Sequence, residues 1–320
     1  MKHTNLRVVI TGASSGIGAA TAVAFARQGA HLVLGARGKA GLEDVARRCR
    51  AAGGTAVVRV VDVTDAADVA SFAANARSLL GGIDLWFSNV GIGVVGKYQD
   101  VPIADHQRVI EANLIGHMND AHAVLPIFLQ QRHGIFVNMI SVGGYLTSPY
   151  AAAYAASKFG LRAFSAALRA ELHGQRGIHI CDVYPTFVNT PALGHTANYT
   201  GASLSWPPGA IAPEKVADAV VRLAWHPRST TVVGAPAAAL KAGELATPAT
   251  AALMNRFMEA WSKRARPTHD TTGSLYAPPG GASGIHGEPQ APARRHTSVL
   301  ALGAAAAAAA LGAALVRRRS

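Results

Sequence analysis

Seven short apolar runs, at residues 6–10, 31–35, 56–61, 85–88, 135–140, 178–184 and 230–233, punctuate the chain. A helix-length segment follows each of the first six, at 16–28, 40–51, 66–80, 104–131, 151–174 and 213–225. The runs are nearly continuous in Val, Ile and Leu, which suits strands buried on both faces. Strand–helix alternation of this kind predicts right-handed βαβ units. The expected fold is therefore α/β, a Rossmann-like doubly wound parallel sheet with helices on both faces. Half of the residues are apolar and 15% are charged, so the chain can fill such a core and bulk disorder is excluded.

The alternation stops after Leu240. Residues 242–263 have the composition of one more helix, and the domain is expected to span 1–262. Residues 263–298 are rich in proline and glycine without periodicity, which predicts a disordered linker. Residues 299–316 then run for eighteen positions without a charge, ahead of a basic end at 317–320. As a helix this stretch would be roughly 27 Å long, just enough for a hydrocarbon core of ~30 Å. A C-terminal transmembrane anchor is the expectation, with an alanine-rich soluble helix on a tether as its rival.

The net charge of +12 is uneven, because eight Lys/Arg against two Asp/Glu fall between Lys263 and the end. No basic face interleaved with aromatics appears elsewhere, so nucleic acid is not an expected partner. Cys49 and Cys181 are the only cysteines, and no Cys/His spacing suggests a metal. A reducing compartment fits. The first residues pass straight into the first strand without a secretory h-region, so the catalytic domain is expected in the cytoplasm.

Thr11-Gly-Ala-Ser-Ser-Gly-Ile-Gly18 joins the first strand to the first helix. Gly12 permits a tight turn, Gly16 a close approach of phosphate to backbone, and Gly18 close helix–strand packing. Free N–H groups and the helix dipole at this place favour a pyrophosphate, hence a dinucleotide. A ribose 2′-hydroxyl is ordinarily bound by an acid about 20 residues further on. Here the second strand ends in Gly35-Ala-Arg-Gly38, with no carboxylate. Arg37 offers a planar fork for a 2′-phosphate, so NADP(H) is expected over NAD(H). Further along, Tyr154 and Lys158 lie one helical turn apart, where an ammonium can lower a phenol pKa toward neutrality.

With these motifs, TGxxxGIG and YxxxK, the chain resembles the short-chain dehydrogenase/reductase family over roughly residues 6–234. The resemblance implies a catalytic set of Asn113, Ser141, Tyr154 and Lys158. Tyr154 would be the acid/base, and Ser141 would hold the substrate oxygen. Lys158 would bind the nicotinamide ribose, and Asn113 would anchor a proton-relay water. The cofactor contacts it implies are Gly12, Ser14, Ser15, Gly16, Ile17 and Gly18 in the turn, then Arg37, Asp62, Val63 and Asn89, and later Pro185, Val188 and Thr190. Pro185-Thr186 stands where the family usually has Pro-Gly, which puts the local backbone path in question. Tyr150 and Phe187 are expected pocket walls. The segment 191–213, with Leu193, Tyr199, Leu204, Trp206 and Ile211, falls where the family carries a substrate lid. An apolar carbonyl or alcohol is the implied substrate, and a homodimer or homotetramer through 104–131 and 151–174 the implied assembly. The alternative is a non-catalytic NADP(H) sensor or scaffold, which needs the glycine turn but not Tyr154 and Lys158.

Overall fold

The computed structural model describes residues 5–205, 209–236, 265–280 and 284–287, with scattered helical positions between 251 and 259. In chain order its strands are β1 (Arg7–Thr11), β2 (His31–Ala36), β3 (Thr55–Val60), β4 (Leu85–Ser88), β5 (Val94–Val95), β6 (Gly134–Met139), β7 (Ile178–Pro185), β8 (Ala197–Asn198) and β9 (Thr230–Val233). All seven apolar runs enter one parallel sheet, ordered β3-β2-β1-β4-β6-β7-β9. The chain direction of the crossovers reverses between β1 and β4. Ligands of doubly wound sheets bind outside the strand ends at that switch point.

Why both faces are covered follows from the pleat. Val8 and Ile10, Leu32 and Leu34, and Leu85 and Phe87 point to one side. Their neighbours Val9, Val33 and Trp86 point to the other. The first side is closed by α1 (Gly16–Ala26), α2 (Lys39–Ala51) and α7 (Pro213–Leu223). The second is closed by α3 (Ala66–Leu80) and α5 (Gly116–Gln131). Full burial of each such side chain contributes about 1.5–3 kcal/mol. Asp65 starts α3 by accepting from the N–H groups of Ala67 and Asp68, and Gly81, at φ +71°, ends it. The predicted helix over 104–131 is continuous but not uniform. It begins as α4 (Ile103–Ile110), widens into a π-turn at Glu111–Ile115 and resumes as α5. The last long helix, α6 (Ala152–Glu171), packs against α4.

The free linker expected from residue 263 does not hold for 265–280 and 284–287. Pro267 and Thr271 make antiparallel bridges to Ala202 and Asn198. Leu275 is 1% exposed, and Ile285 packs on the core. Proline and glycine suppress regular elements here, but the backbone groups find partners on the domain instead. The expected helix over 242–263 falls mostly outside the described residues, and the stretch 299–316 entirely so. No described helix is long and apolar enough to cross a membrane.

Candidate active site

At the carboxyl ends of the strands a cleft of about 480 Å³ runs from Arg37 past the glycine turn to Tyr154 and Phe187. The turn is built from close approach. Gly12 has φ +66°, and a Cβ there would stand 3.0 Å from the Asn89 backbone. A Cβ on Gly18 would stand 2.2 Å from the Gly12 carbonyl, so the helix meets the strand end only because residue 18 has no side chain. Asn89 Nδ2 donates to the same carbonyl at 3.1 Å and ties β1 to the loop after β4. Ser14, Ser15, Gly16 and Ile17 face the cleft, as do Asp62, Val63 and Asn89. Pro185, Val188 and Thr190 close the far wall. This cradle, with Arg37 and no acid at its ribose end, fits a phosphorylated dinucleotide.

Ser141, Tyr154 and Lys158 all reach the cleft. Ser141 sits at φ +123° just beyond β6, and its Oγ accepts from the Gly143 N–H at 3.1 Å. Gly143 fits between Ser141 and Tyr154; a Cβ there would be 3.2 Å from the tyrosine ring and 3.6 Å from Ser141 Oγ. Lys158 Nζ lies 5.7 Å from the centre of that ring and donates to the Met139 carbonyl at 3.1 Å. The electrostatics differ from the sequence expectation. Burial pushes the Tyr154 phenol up, and a hydrogen bond with Ser141 only partly opposes it. Burial also holds Lys158 down to about 7, so the charge meant to acidify the phenol is itself penalised.

Asn113 stands one layer behind the cleft, and Tyr150 lies off its wall. Asn113, fully buried in the π-turn, lies beneath the cleft wall. Its side chain clamps the backbone of Ile92, accepting from the N–H at 2.8 Å and donating to the carbonyl at 2.9 Å. Tyr150 is not on the cleft wall: α6 begins only at Ala152, and Tyr150 precedes it at φ +67°. The shared helix face needed to place it beside Tyr154 does not exist. Phe187 is on the wall, 51% exposed. The Pro185-Thr186 departure is absorbed locally, since Thr186 Oγ1 occupies the space of a Cβ at Gly234, 2.2 Å away.

Several polar residues were not legible from motifs. Arg108 donates to Asp62 at 3.0 Å and to Thr64 at 2.9 Å, near the Arg37 end of the cleft. His117, held neutral by burial with a pKa of about 4, contacts the Val90 carbonyl and Asn138, both at 2.8 Å. Asp120 accepts from Thr11 at 2.7 Å and Ser88 at 2.6 Å, pinning the ends of β1 and β4. Asp105 accepts from Tyr199 of the lid at 2.5 Å and from Tyr276 of the tail at 2.6 Å. Only the irregular placement of polar residues within apolar helices hinted at them.

A profile of the short chain dehydrogenase family matches residues 6–199. The chain is similar to 17-beta-hydroxysteroid dehydrogenase 13 of Mus musculus, with 34% identity over 68% of this chain and 70% of that one. It is also 31% identical to a ketoacyl reductase of Nostoc sp. over 68% of this chain and 75% of the other. Among solved structures, an alcohol dehydrogenase from the archaeon Thermococcus sibiricus, complexed with 5-hydroxy-NADP, superposes with a TM-score of 0.63 at 26% identity. That match covers 71% of this chain and 94% of the archaeal one. The protein belongs to the short-chain dehydrogenase/reductase family. It is an oxidoreductase of CH–OH and C=O groups.

Proposed function

We propose that the protein interconverts a carbonyl and a secondary alcohol on an apolar substrate, using NADP(H) and Tyr154 as acid/base. The observation that carries this is the convergence of Ser141, Tyr154 and Lys158 on the same cleft as the glycine turn and Arg37. The lack of an acid at 35–38 and the NADP analogue in the archaeal relative support the choice of cofactor. NADP(H), when bound, supplies or takes up the hydride. Ser141 donates to the substrate oxygen and holds it beside the phenol. Tyr154, whose phenol burial pushes up, gives its proton to that oxygen as negative charge develops. Lys158 binds the ribose and carries the proton that restores the phenol.

Phe187, Leu193, Val142 and Val95 line the substrate end, which supports an apolar ligand. Exposed Ala163, Ala166, Ala167 and Ala170 on α6 support close approach of a second subunit. The uncharged stretch 299–316 supports membrane association. The test is NADPH oxidation with a panel of apolar ketones, wild type beside Tyr154→Phe. Turnover that falls by roughly 10²–10⁴ in the variant, with NADPH affinity kept, is the expected result. Tight NADPH binding with no turnover on any carbonyl would favour the sensor reading. A variant retaining more than about a tenth of wild-type kcat would remove Tyr154 from the acid's role.

A further inference from the structure

The described tail residues meet the cleft at several points, and there they use groups that a dinucleotide would need. Arg37 Nη1 and Nη2 donate to the carbonyls of Leu275 at 3.0 Å and Ser274 at 2.6 Å. Both nitrogens of the fork that would face a 2′-phosphate are thereby taken. At the first turn of α1, the Gly16 N–H donates to the Gly284 carbonyl at 3.0 Å. This is one of the free donors that a helix start offers to a pyrophosphate. Further along, the Gly287 N–H donates to the Asn189 carbonyl at 3.3 Å, and a Cβ on Gly287 would stand 2.7 Å from the Thr190 carbonyl oxygen. Thr190 is one of the expected cofactor contacts. Pro278 and Pro279 form part of the cleft wall between these points.

The strap is latched at its edges rather than loosely laid. Thr271 and Asn198 exchange two backbone hydrogen bonds, at 2.8 and 3.1 Å. The Ser274 N–H donates to the His195 carbonyl at 2.8 Å, and Leu275 is 1% exposed. Tyr276 donates to Asp105, which also receives Tyr199 of the lid. Beyond the second proline, His286 Nε2 lies 2.8 Å from Glu214 Oε1 on α7. Lid and strap therefore share one carboxylate and one backbone ladder.

We propose that residues 265–280 and 284–287 act as an autoinhibitory strap that competes with NADP(H), so that cofactor binding requires its release. A phosphate oxygen makes a stronger, charge-assisted hydrogen bond to a guanidinium or helix N-terminus than a neutral carbonyl does. The dinucleotide therefore displaces the strap, with an apparent affinity reduced by the fraction of open molecules. Because Asp105 joins strap to lid, release at the adenosine end also loosens Tyr199. The strap couples cofactor entry to opening of the substrate side.

The test uses the full-length chain and two substitutions outside the catalytic and cofactor-binding residues. Leu275→Asp puts a charge in a buried position and ejects the strap. Gly284→Val meets no atom within 4 Å, but its φ of +76° is hostile to a β-branched side chain, so only the strap end moves. NADPH affinity is read by fluorescence titration, with thermal melting to verify folding. Both variants are expected to bind NADPH about tenfold more tightly than wild type, following release of the closed fraction. Hydrogen exchange in wild type supplies a second reading that needs no variant. Addition of NADPH is expected to speed exchange at the Thr271 and Ser274 amides. Unchanged or weaker binding in both folded variants, or slower exchange at those amides, would overturn the strap's inhibitory role. A wild type that binds no NADPH at any concentration overturns the proposed cofactor itself, which is a separate failure.

Discussion

Lys158 is 2% exposed, with a carbonyl as its hydrogen-bond partner and no carboxylate among the causes of its shift. Its pKa falls from 10.5 unfolded to about 7 folded. The unfolded chain therefore holds more protons between those values, and stability rises with pH across that window. Below about 7 the folded protein carries the full cost of a buried ammonium. Lys158→Met should thus lose turnover yet raise the melting temperature of the cofactor-free protein. The gain should be larger at pH 6 than at pH 9, as read by calorimetry. A constant or negative difference would show that the Met139 bond outweighs the burial cost. At the ribose end, Arg37→Asp should lower the NADPH/NADH ratio of kcat/KM by about tenfold or more, equivalent to one lost charge-assisted hydrogen bond. An unchanged ratio would assign discrimination to another cation. These residues were legible because their chemistry demands fixed types at fixed spacing within one element. Asp105 and Arg108 were not, because their partners lie up to 171 residues away and only the fold brings them together.

At the scale of elements, β1, β2, β4, β6 and β7 were readable because burial on both faces leaves little room for polar residues, and the more exposed edge strands β3 and β9 by their β-branched content. The π-turn at Glu111–Ile115 was not, since a single widened turn is too short to show a period of its own. The ends of β7 and β9 show a different kind of hidden dependence. Thr186 donates its N–H to the Val233 carbonyl at 3.0 Å, and its side chain fills the place of a Cβ at Gly234. Gly234 also has φ +95°, so any side chain there meets both a clash and backbone strain. Gly234→Ala should destabilise the protein by about 1–3 kcal/mol in urea unfolding. Adding Thr186→Gly should recover the part due to the clash. If the double variant is no more stable than the single one, the cost is conformational alone. The tail misled the sequence reading for a related reason. Proline and glycine report that a segment cannot form regular structure, whereas docking depends on what the rest of the surface offers it.

On the whole molecule, exposed apolar residues gather where α4–α5 and α6 face outward. Ile103 is 62% exposed, and Ile115 and Met118 are about 40% exposed. Ala163, Ala166, Ala167 and Ala170 of α6 are exposed as well. A two-fold contact between such faces would bury both sets, and small residues allow helix axes to approach closely. Light scattering at micromolar concentration should give a dimer or tetramer. Ala166→Glu, a change at an exposed position, should shift it toward monomer without loss of the fold. Residues 299–316 hold no charge and are flanked by Arg294 and Arg295 before and by Arg317, Arg318 and Arg319 after. Basic residues on both sides can meet headgroups at either interface, so orientation is not fixed by them. Alanine dominates the stretch, and its few Leu and Val make insertion marginal. If the stretch inserts, a dimer would present two such segments at once, and two weak anchors would hold where one exchanges. Full-length protein should stay in the membrane pellet after a carbonate wash, whereas a chain ending at Arg295 should be released. The monomer-favouring Ala166→Glu form should be released more readily than wild type. Full-length protein found wholly in the supernatant would sink the anchor, and equal retention of dimer and monomer would sink the avidity argument.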